Sequence, residues 1–306
     1  MTGLFRICLE FAFVGATMMA GVKHAGAASQ SGPLKLDVFV GEANSYNVTS
    51  TLIYGKSESI LFDCQFRISQ ATKLADRISA THTRLKAIII SHPDYDHYLG
   101  MAVLHERFPD TPIYMTAAAL EEFKRTSPRY LAGNKKSNPE ETPNSLPTPE
   151  VLPTTIFTVD GEAVDVVKDY QGDVLKTSNS FLWIPSLRAV IAGDVVFNGI
   201  YAWFGDSSVD SRRAWHESLR LIKALHPLVV VAGHKGSASL PDSPQAVTVM
   251  EKYLDDFDEA RKTVSNAAEL IAVMKKKYPT WRQDDLLEYS AQVAIPPTTK
   301  KASGSE

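Results

Sequence analysis

Apolar residues recur along the chain in two patterns, short runs rich in branched residues and longer stretches with helical spacing. The short runs are too brief for helices and too continuous for half-exposed strands, so they predict buried strands. The helical spacing predicts amphipathic helices. Strands are predicted at residues 36–40, 45–54, 59–63, 85–90, 112–115, 154–159, 163–168, 178–184, 189–192 and 228–232, and helices at 65–80, 101–108, 117–124, 212–225, 245–262, 266–277 and 284–290.

Two stretches interrupt this pattern. Residues 1–28 combine Arg6, an apolar run from Phe11 to Val22 and the small residues Ala25-Gly26-Ala27, which is typical of a cleaved secretory signal. An uncleaved anchor is the alternative, but the run is shorter than the ~20 residues that cross a bilayer. Residues 127–153 are rich in proline and polar residues and predict an irregular insertion, either a lid over a pocket or a plain surface loop.

The pattern divides the 306-residue chain into four parts. They are a signal peptide at 1–28, a main domain at 29–240 that contains the 127–153 insertion, a C-terminal helical extension at 241–295 and a disordered tail at 296–306. The helices of the extension could cap the main domain, complete a pocket or mediate formation of a homodimer, and the sequence leaves these roles open.

The net charge and the cysteine content of the chain limit the partners and the covalent cross-links that we expect. The formal charge of −3 and the sequence pI near 6.3 give no basic footprint, so a nucleic-acid partner is not expected. Cys8 lies in the signal segment, which leaves Cys64 alone and excludes an internal disulfide in the mature chain. We expect a periplasmic or secreted protein that acts on a small molecule and has no membrane span after cleavage.

One stretch concentrates the candidate chemistry. The sequence Ser91-His92-Pro93-Asp94-Tyr95-Asp96-His97-Tyr98-Leu99-Gly100 directly follows the strand predicted at 85–90 and precedes a predicted helix. His92, Asp94, Asp96 and His97 therefore sit on a tight turn between two rigid elements, which is how side chains are brought to a common point. A solvated surface loop that happens to be rich in histidine and aspartate is the alternative.

The stretch resembles the His-x-His-x-Asp-His signature of the metallo-β-lactamase superfamily, with Asp94 in place of the second histidine. The resemblance implies an α/β fold, a four-layered αββα sandwich with one or two metals at the edge of its sheets and, in this chain, extra C-terminal helices. Asp63, at the end of the third predicted strand, also fits the family pattern. The resemblance places His92, Asp94 and Asp173 at the first metal, Asp96, His97 and His234 at the second, and Asp194 between the two.

Two of these seven positions, Asp94 and Asp173, carry aspartate where the family has histidine, and both belong to the first metal. Zinc favours imidazole and thiolate but accepts carboxylate, whereas harder ions such as manganese prefer oxygen. The resemblance thus implies one or two divalent metal ions, with zinc expected and manganese or iron as alternatives. The first position could hold a harder or weaker metal, stay empty beside a single second metal, or supply metal-free acid or base groups.

The function that follows is hydrolysis by a metal-activated water. A metal ion lowers the pKa of bound water and polarises a carbonyl or phosphoryl oxygen, and the resemblance makes Asp96 the catalytic residue that orients the attacking group. The leading hypothesis is an exported hydrolase of an ester, lactone, thioester or β-lactam; a phosphodiesterase and a non-catalytic member of the fold are the alternatives. Tyr201, Trp203 and Phe204 either line an apolar pocket beside the metal or pack between sheet and helix.

Overall fold

Two β-sheets form the centre of the fold, in the part of the chain that the computed structural model describes, residues 32–174 and 176–296. The strands are β1 Lys35–Val40, β2 Thr49–Tyr54, β3 Glu58–Phe62, β4 Arg84–Ile89, β5 Ile113–Met115, β6 Glu150–Val151, β7 Ile156–Val159, β8 Glu162–Tyr170, β9 Asn179–Ile184, β10 Ala189–Ile191, β11 Phe197–Asn198, β12 Val229–Val231 and β13 His234–Lys235. The helices are α1 Ile68–Ala80, α2 Tyr95–Tyr98, α3 Met101–Arg107, α4 Ala117–Ser137, α5 Val209–Ala224, α6 Gln245–Thr263, α7 Ala267–Lys277 and α8 Asp284–Ala294. The predicted signal peptide and the predicted tail beyond Pro296 lie outside the described residues.

The first sheet has the strand order β1-β2-β3-β4-β5-β6 and the second has the order β12-β10-β9-β8-β7. In the first sheet β1, β2 and β3 are antiparallel neighbours, while β3 to β6 pair in parallel. In the second, β7 to β10 are antiparallel and β12 adds in parallel to β10. Asp160-Gly161 is a strong turn signal, and these two residues join β7 and β8 in an antiparallel hairpin with Val159 opposite Glu162.

Three apolar clusters hold the layers together. One lies between the sheets and joins residues such as Ile60 and Ile89 of the first sheet to Leu182 and Ile191 of the second. A second cluster packs α1, α3 and α4 on the outer face of the first sheet. The third packs helices α5 to α8 on the outer face of the second sheet. The predicted helix–sheet–sheet–helix sandwich with extra C-terminal helices is therefore confirmed.

The main correction concerns the segment at 127–153. Helix α4 continues through Ser137 with Pro128 inside it, so the predicted irregular segment is wrong for residues 127–137. Proline disfavours a helix interior because it lacks an N–H donor, but tertiary packing overrides this here. Tyr130 packs on Tyr95 with ring centroids 5.1 Å apart, and Leu131 packs against the core of the first layer.

The predicted strand at 45–54 begins only at Thr49. Tyr46 and Asn47 have φ of 53° and 55°, a left-handed conformation that cannot continue a strand. The turn they form brings the Tyr46 carbonyl towards His234 at the opposite end of the main domain's sequence.

Helix α8 is held firmly against the body of the fold. The Gln283 side chain, one residue before it, donates to the Ala43 carbonyl at 2.7 Å and to Asn47 Oδ1 at 3.0 Å. The fully buried Ser290 hydroxyl accepts from the Phe204 backbone N–H at 2.9 Å. These bonds hold helix α8 beside the loop at residues 43–47 and beside Phe204. No helix of the described residues is both long and apolar enough to cross a membrane.

Candidate metal centre

The seven candidate ligands of the sequence come together at one edge of the two sheets. Each follows a strand end or a connection between strands, where the backbone leaves the sheet and its side chains can converge. Ligand atoms lie within 4.8 Å of one another in three overlapping groups: His92, Asp94 and Asp173; Asp96, His97 and His234; and His92, His97 and Asp194. The first two groups are the two sets that the sequence predicts, and Asp194 lies between them.

Asp194 occupies the centre of the cluster. Its carboxylate lies 3.1 Å from Nε2 of His97, 3.1 Å from Nε2 of His234 and 3.9 Å from Nε2 of His92. Gly233 must lack a side chain for this approach, because a Cβ there would lie 2.1 Å from Asp194 Oδ1. Gly193 and Gly233, which directly precede Asp194 and His234, thus allow two strand ends to pack closely.

Hydrogen bonds at the far side of each imidazole fix where its proton lies. His234 Nδ1 is 2.8 Å from the Tyr46 carbonyl, which can only accept, and His97 Nδ1 is 2.9 Å from the Asp63 carboxylate. Both nitrogens therefore carry hydrogen. Ser91 Oγ donates to Asp63 at 2.9 Å, so it accepts from His92 Nδ1 at 2.7 Å. All three histidines consequently direct Nε2 into the cluster.

The residues fit a metal ion on two observations. In neutral imidazoles with hydrogen on Nδ1, the Nε2 atoms of His97 and His234 would face each other with lone pairs 3.2 Å apart, an arrangement that needs a cation or a proton nearby. In addition, His92 Nε2 and Asp173 Oδ2 are buried and have no hydrogen-bond partner among the described residues. Buried polar atoms without partners are costly, and imidazole with carboxylate is a donor set that zinc, manganese and iron accept.

Charge is distributed unevenly over the cluster. Burial, together with the neighbouring carboxylates of Asp96, Asp206 and Asp194, raises the pKa of Asp94 to about 8. Burial and Asp194 also raise the pKa of Asp173 well above its usual range. Burial opposes the charge on Asp194 too, but His234 and His97 hold its pKa well below the ordinary value. The environment of the first set thus disfavours negative charge on Asp94 and Asp173, and a bound cation would oppose this effect.

Five members of the cluster line the floor of a cavity of about 490 Å³: Asp94, Asp96, Asp173, Asp194 and His234. Its walls are largely aromatic and come from distant parts of the chain: Tyr46, Tyr95, Tyr130, Phe197, Trp203 and Tyr289. Arg129 and Tyr130 are the members of the 127–153 segment that line this cavity, and both belong to helix α4. The insertion thus contributes a helical wall, and the prediction of a loop-like lid is not what the structure shows.

Of the three aromatic residues singled out in the sequence, the structure places Trp203 on the cavity wall. Tyr201 and Phe204 are 1% and 2% exposed and belong to the core under α5 and α6, so their prediction as pocket residues is wrong. Phe204 packs edge-to-face on Phe257 with ring centroids 4.7 Å apart. Because this stretch is irregular, its three aromatic residues do not share one face, and two of them pack in the core.

The sequence pattern did not reveal what Asp63 does. Its carboxylate accepts from the Ser91 backbone N–H at 2.8 Å, from the Ser91 hydroxyl and from His97 Nδ1, and so positions two imidazoles at once. The sequence indication of this role was the position of Asp63 at the end of the strand predicted at 59–63.

We expect Asp63→Asn to weaken metal binding about 10- to 100-fold, as for other carboxylates that orient ligating histidines. The side-chain amide N–H would then face the Nδ1–H of His97, so the imidazole would have to rotate or carry its hydrogen on Nε2. Metal titration by calorimetry measures the effect. Asp76→Asn, in an exposed ion pair with Arg107, is the matched control and should bind metal like the unaltered chain; equal affinity in both variants would contradict the role of Asp63.

Comparison with known proteins gives a consistent result. The model of the metallo-beta-lactamase superfamily matches residues 44–234. A metallo-beta-lactamase from Pontibacter korlensis is 17% identical with a TM-score of 0.54, over 73% of this chain and 95% of that one. A metallo-beta-lactamase family protein from Thermus thermophilus is 16% identical with a TM-score of 0.60, over 85% and 91% of the two chains. At these identities the solved structures are similar in fold; no curated protein matches the sequence.

Proposed function

The chain belongs to the metallo-β-lactamase superfamily, and from this premise we propose that it is a metal-dependent hydrolase of a small carbonyl substrate, an ester, lactone, thioester or β-lactam. The observation that carries the proposal is the convergence of seven imidazole and carboxylate side chains, five of which line one cavity. A cluster held only for stability would satisfy its buried polar atoms internally, whereas His92 Nε2 and Asp173 Oδ2 have no partner among the described residues.

In this proposal His92, Asp94 and Asp173 would hold one divalent ion and Asp96, His97 and His234 would hold a second, with Asp194 lying between the two sets. Such an ion would supply Lewis acidity and lower the pKa of a bound water molecule. The protein's own part is to fix the ligands, through Asp63, Ser91 and the Tyr46 carbonyl, and to move the proton.

Asp96 is the residue that we propose to accept the proton of the attacking water. Its side chain is 12% exposed and lines the cavity, and Oδ2 lies 3.4 Å from His234 Nε2 and 3.9 Å from His97 Nε2. A carboxylate in this place can accept a hydrogen bond from the attacking water and direct its lone pair at a carbonyl carbon in the cavity. Burial raises the pKa of Asp96 above the ordinary value of an exposed aspartate, and a nearby cation would lower it.

The charge of the cavity favours a carbonyl substrate over a phosphodiester. Arg129 is the one permanent cation among the described residues that line it. The carboxylates that line it outside the three ligand groups are Asp206 and Asp285. An anionic diester would meet more like charge than opposite charge, whereas an uncharged ester or lactone would not. Export, directed by residues 1–28, and action as a monomer or homodimer complete the proposal.

Hydrolysis before and after metal removal tests the proposed function. The protein without residues 1–28 is assayed on phenyl acetate, a lactone, a thioester, a chromogenic β-lactam and bis(4-nitrophenyl) phosphate. We expect at least one carbonyl compound to be hydrolysed, the activity to disappear with a chelator and to return with zinc or manganese. Circular dichroism shows whether the chelated protein stays folded.

Two outcomes would overturn the proposal. Turnover of the phosphate diester alone would replace it with a phosphodiesterase. No bound metal in the purified protein, together with no turnover after addition of zinc, manganese or iron, would identify a non-catalytic member of the fold.

A further inference from the structure

The cavity extends well beyond the space that a metal ion and a scissile bond require. Its volume of about 490 Å³ is of the size that receives a whole small molecule. Asp285, Leu286 and Tyr289 of helix α8 form one part of the cavity wall, and these lining residues are the farthest in sequence from the candidate ligands. These residues lie outside the family match, which ends at His234, so this wall is a feature of the chain's own C-terminal extension.

Trp203 and Tyr289 form a stacked aromatic pair on this wall. Their ring centroids are 4.8 Å apart and the ring planes differ by 18°. Tyr289 remains 51% exposed, an unusual degree of exposure for a large ring at the mouth of a cavity. Pairs of rings with an open face bind a third flat, apolar group by stacking.

Trp203 is held in place before any ligand arrives. Its indole Nε1–H donates to Asp206 Oδ2 at 2.8 Å, and its ring lies so close to Gly205 that a Cβ there would come within 2.3 Å of Cζ2. Helix α8 is fixed as well, through the bond from the Phe204 N–H to Ser290 and the bonds from Gln283 to Ala43 and Asn47. A wall fixed in this way loses little freedom on binding, which favours affinity.

The charges beside this wall select against an anion. The Asp206 and Asp285 carboxylates both line the cavity and both are exposed, so neither is neutralised by burial in an ion pair. A carboxylate on the ligand's ring would face these two charges. An uncharged ring would not.

We propose that Trp203, Leu286 and Tyr289 form a subsite for an uncharged, ring-bearing part of the substrate, and that the preferred substrates are aryl-containing or other cyclic apolar esters and lactones. The inference rests on the proposed hydrolase function, because it assigns the wall to the part of the substrate that does not react. It names specificity residues for that reaction and gives the C-terminal extension a role in recognition.

Binding of ketones, which resemble esters but cannot be hydrolysed, tests the subsite apart from the chemistry. The probes are 4-phenyl-2-butanone, its ring-free counterpart 2-butanone and the anionic 4-(3-oxobutyl)benzoate, with affinities measured by calorimetry or ligand-observed NMR on the protein as purified. We expect Tyr289→Ala and Leu286→Ala to weaken the phenyl ketone about three- to tenfold and to leave 2-butanone unchanged. The benzoate should bind more weakly than the phenyl ketone and gain affinity in Asp206→Asn or Asp285→Asn.

Two variants control for general effects on the helix. Val293→Ala removes a 45% exposed apolar side chain from the same helix but away from the cavity, and should bind all probes like the unaltered chain. Tyr289→Phe keeps the ring and should retain affinity for the phenyl ketone. Equal affinity for the phenyl ketone in Tyr289→Ala, Leu286→Ala and the unaltered chain would overturn the subsite.

Failure of the subsite and failure of the hydrolase proposal give different results. If the chain hydrolyses a carbonyl compound but KM for phenyl acetate relative to methyl acetate is the same in Tyr289→Ala, the subsite is wrong and the hydrolase stands. If the phenyl ketone binds in a Tyr289-dependent manner while no carbonyl compound is turned over, the wall binds rings and the proposed reaction is wrong.

Discussion

Asp96→Ala is expected to lower kcat/KM on the best carbonyl substrate by about 10²- to 10⁴-fold, the usual range for loss of a positioned acid–base group. The reason is its position, since Asp96 Oδ2 faces both His234 and His97 at the cavity floor. Asp94→Ala should retain at least about tenfold more activity than Asp96→Ala. Asp94 belongs to the first set of ligands, and His92 is the histidine that its carboxylate approaches, with Oδ2 at 3.9 Å from Nε2. Steady-state kinetics of both purified variants provides the comparison.

Asp76→Ala serves as the control for this pair. It removes an exposed carboxylate that pairs with Arg107 and lies outside the cavity and the three ligand groups, so kcat on a small ester should be close to that of the unaltered chain. Equal and mild losses in Asp96→Ala and Asp94→Ala would show that the assignment of the catalytic residue is wrong.

The second large effect concerns metal stoichiometry. Elemental mass spectrometry of the purified protein is expected to find two ions per chain, with about one remaining in Asp94→Ala or in Asp173→Ala. Each of these changes removes an oxygen donor from a set of three, and the remaining pair binds metal weakly. His234→Ala should instead lose the ion held by Asp96 and His97.

The double variant Asp94→His and Asp173→His provides the counterpart to these deletions. It supplies two imidazoles where the chain has carboxylates, and zinc should then be preferred over manganese more strongly than in the unaltered chain. A single ion that survives both aspartate deletions but disappears in His234→Ala would instead mean that the first position holds no metal. Asp94 and Asp173 would then remain as acid or base candidates beside a mononuclear site.

Much of the fold followed from the sequence because the strands are short, apolar and bounded by strong turn signals. The run at 85–90 and the Asp160-Gly161 turn each predicted the element that the structure shows. The convergence of the seven candidate ligands could be anticipated through the family resemblance, since each follows a strand or a turn at the same sheet edge. Their action as ligands remains a prediction.

Other features depend on contacts that local sequence does not encode. The proline-rich composition predicted an irregular segment from residue 127 onwards, yet α4 continues through Pro128 to Ser137 because Tyr130 and Leu131 pack on the first layer. The spacing of Tyr201, Trp203 and Phe204 could not show which ring faces the cavity, since that depends on where α5, α6 and α8 lie. The orientation of His97 by Asp63 joins residues 34 positions apart, and the contribution of α8 to the cavity joins residues that lie much farther apart.

The bonds from Gln283 to the loop at residues 43–47 connect positions 240 and 236 apart in the sequence. A ribosome releases the chain from its N-terminus, so this loop and every candidate ligand through His234 emerge before Gln283 does. During that interval the loop whose Tyr46 carbonyl accepts from His234 Nδ1–H lacks the two hydrogen bonds from Gln283. The part of the cavity wall that α8 contributes does not yet exist. The nascent chain therefore carries all its candidate metal ligands some time before it has a finished binding site, and the synthesis of helix α8 determines when the proposed recognition of a substrate ring can begin.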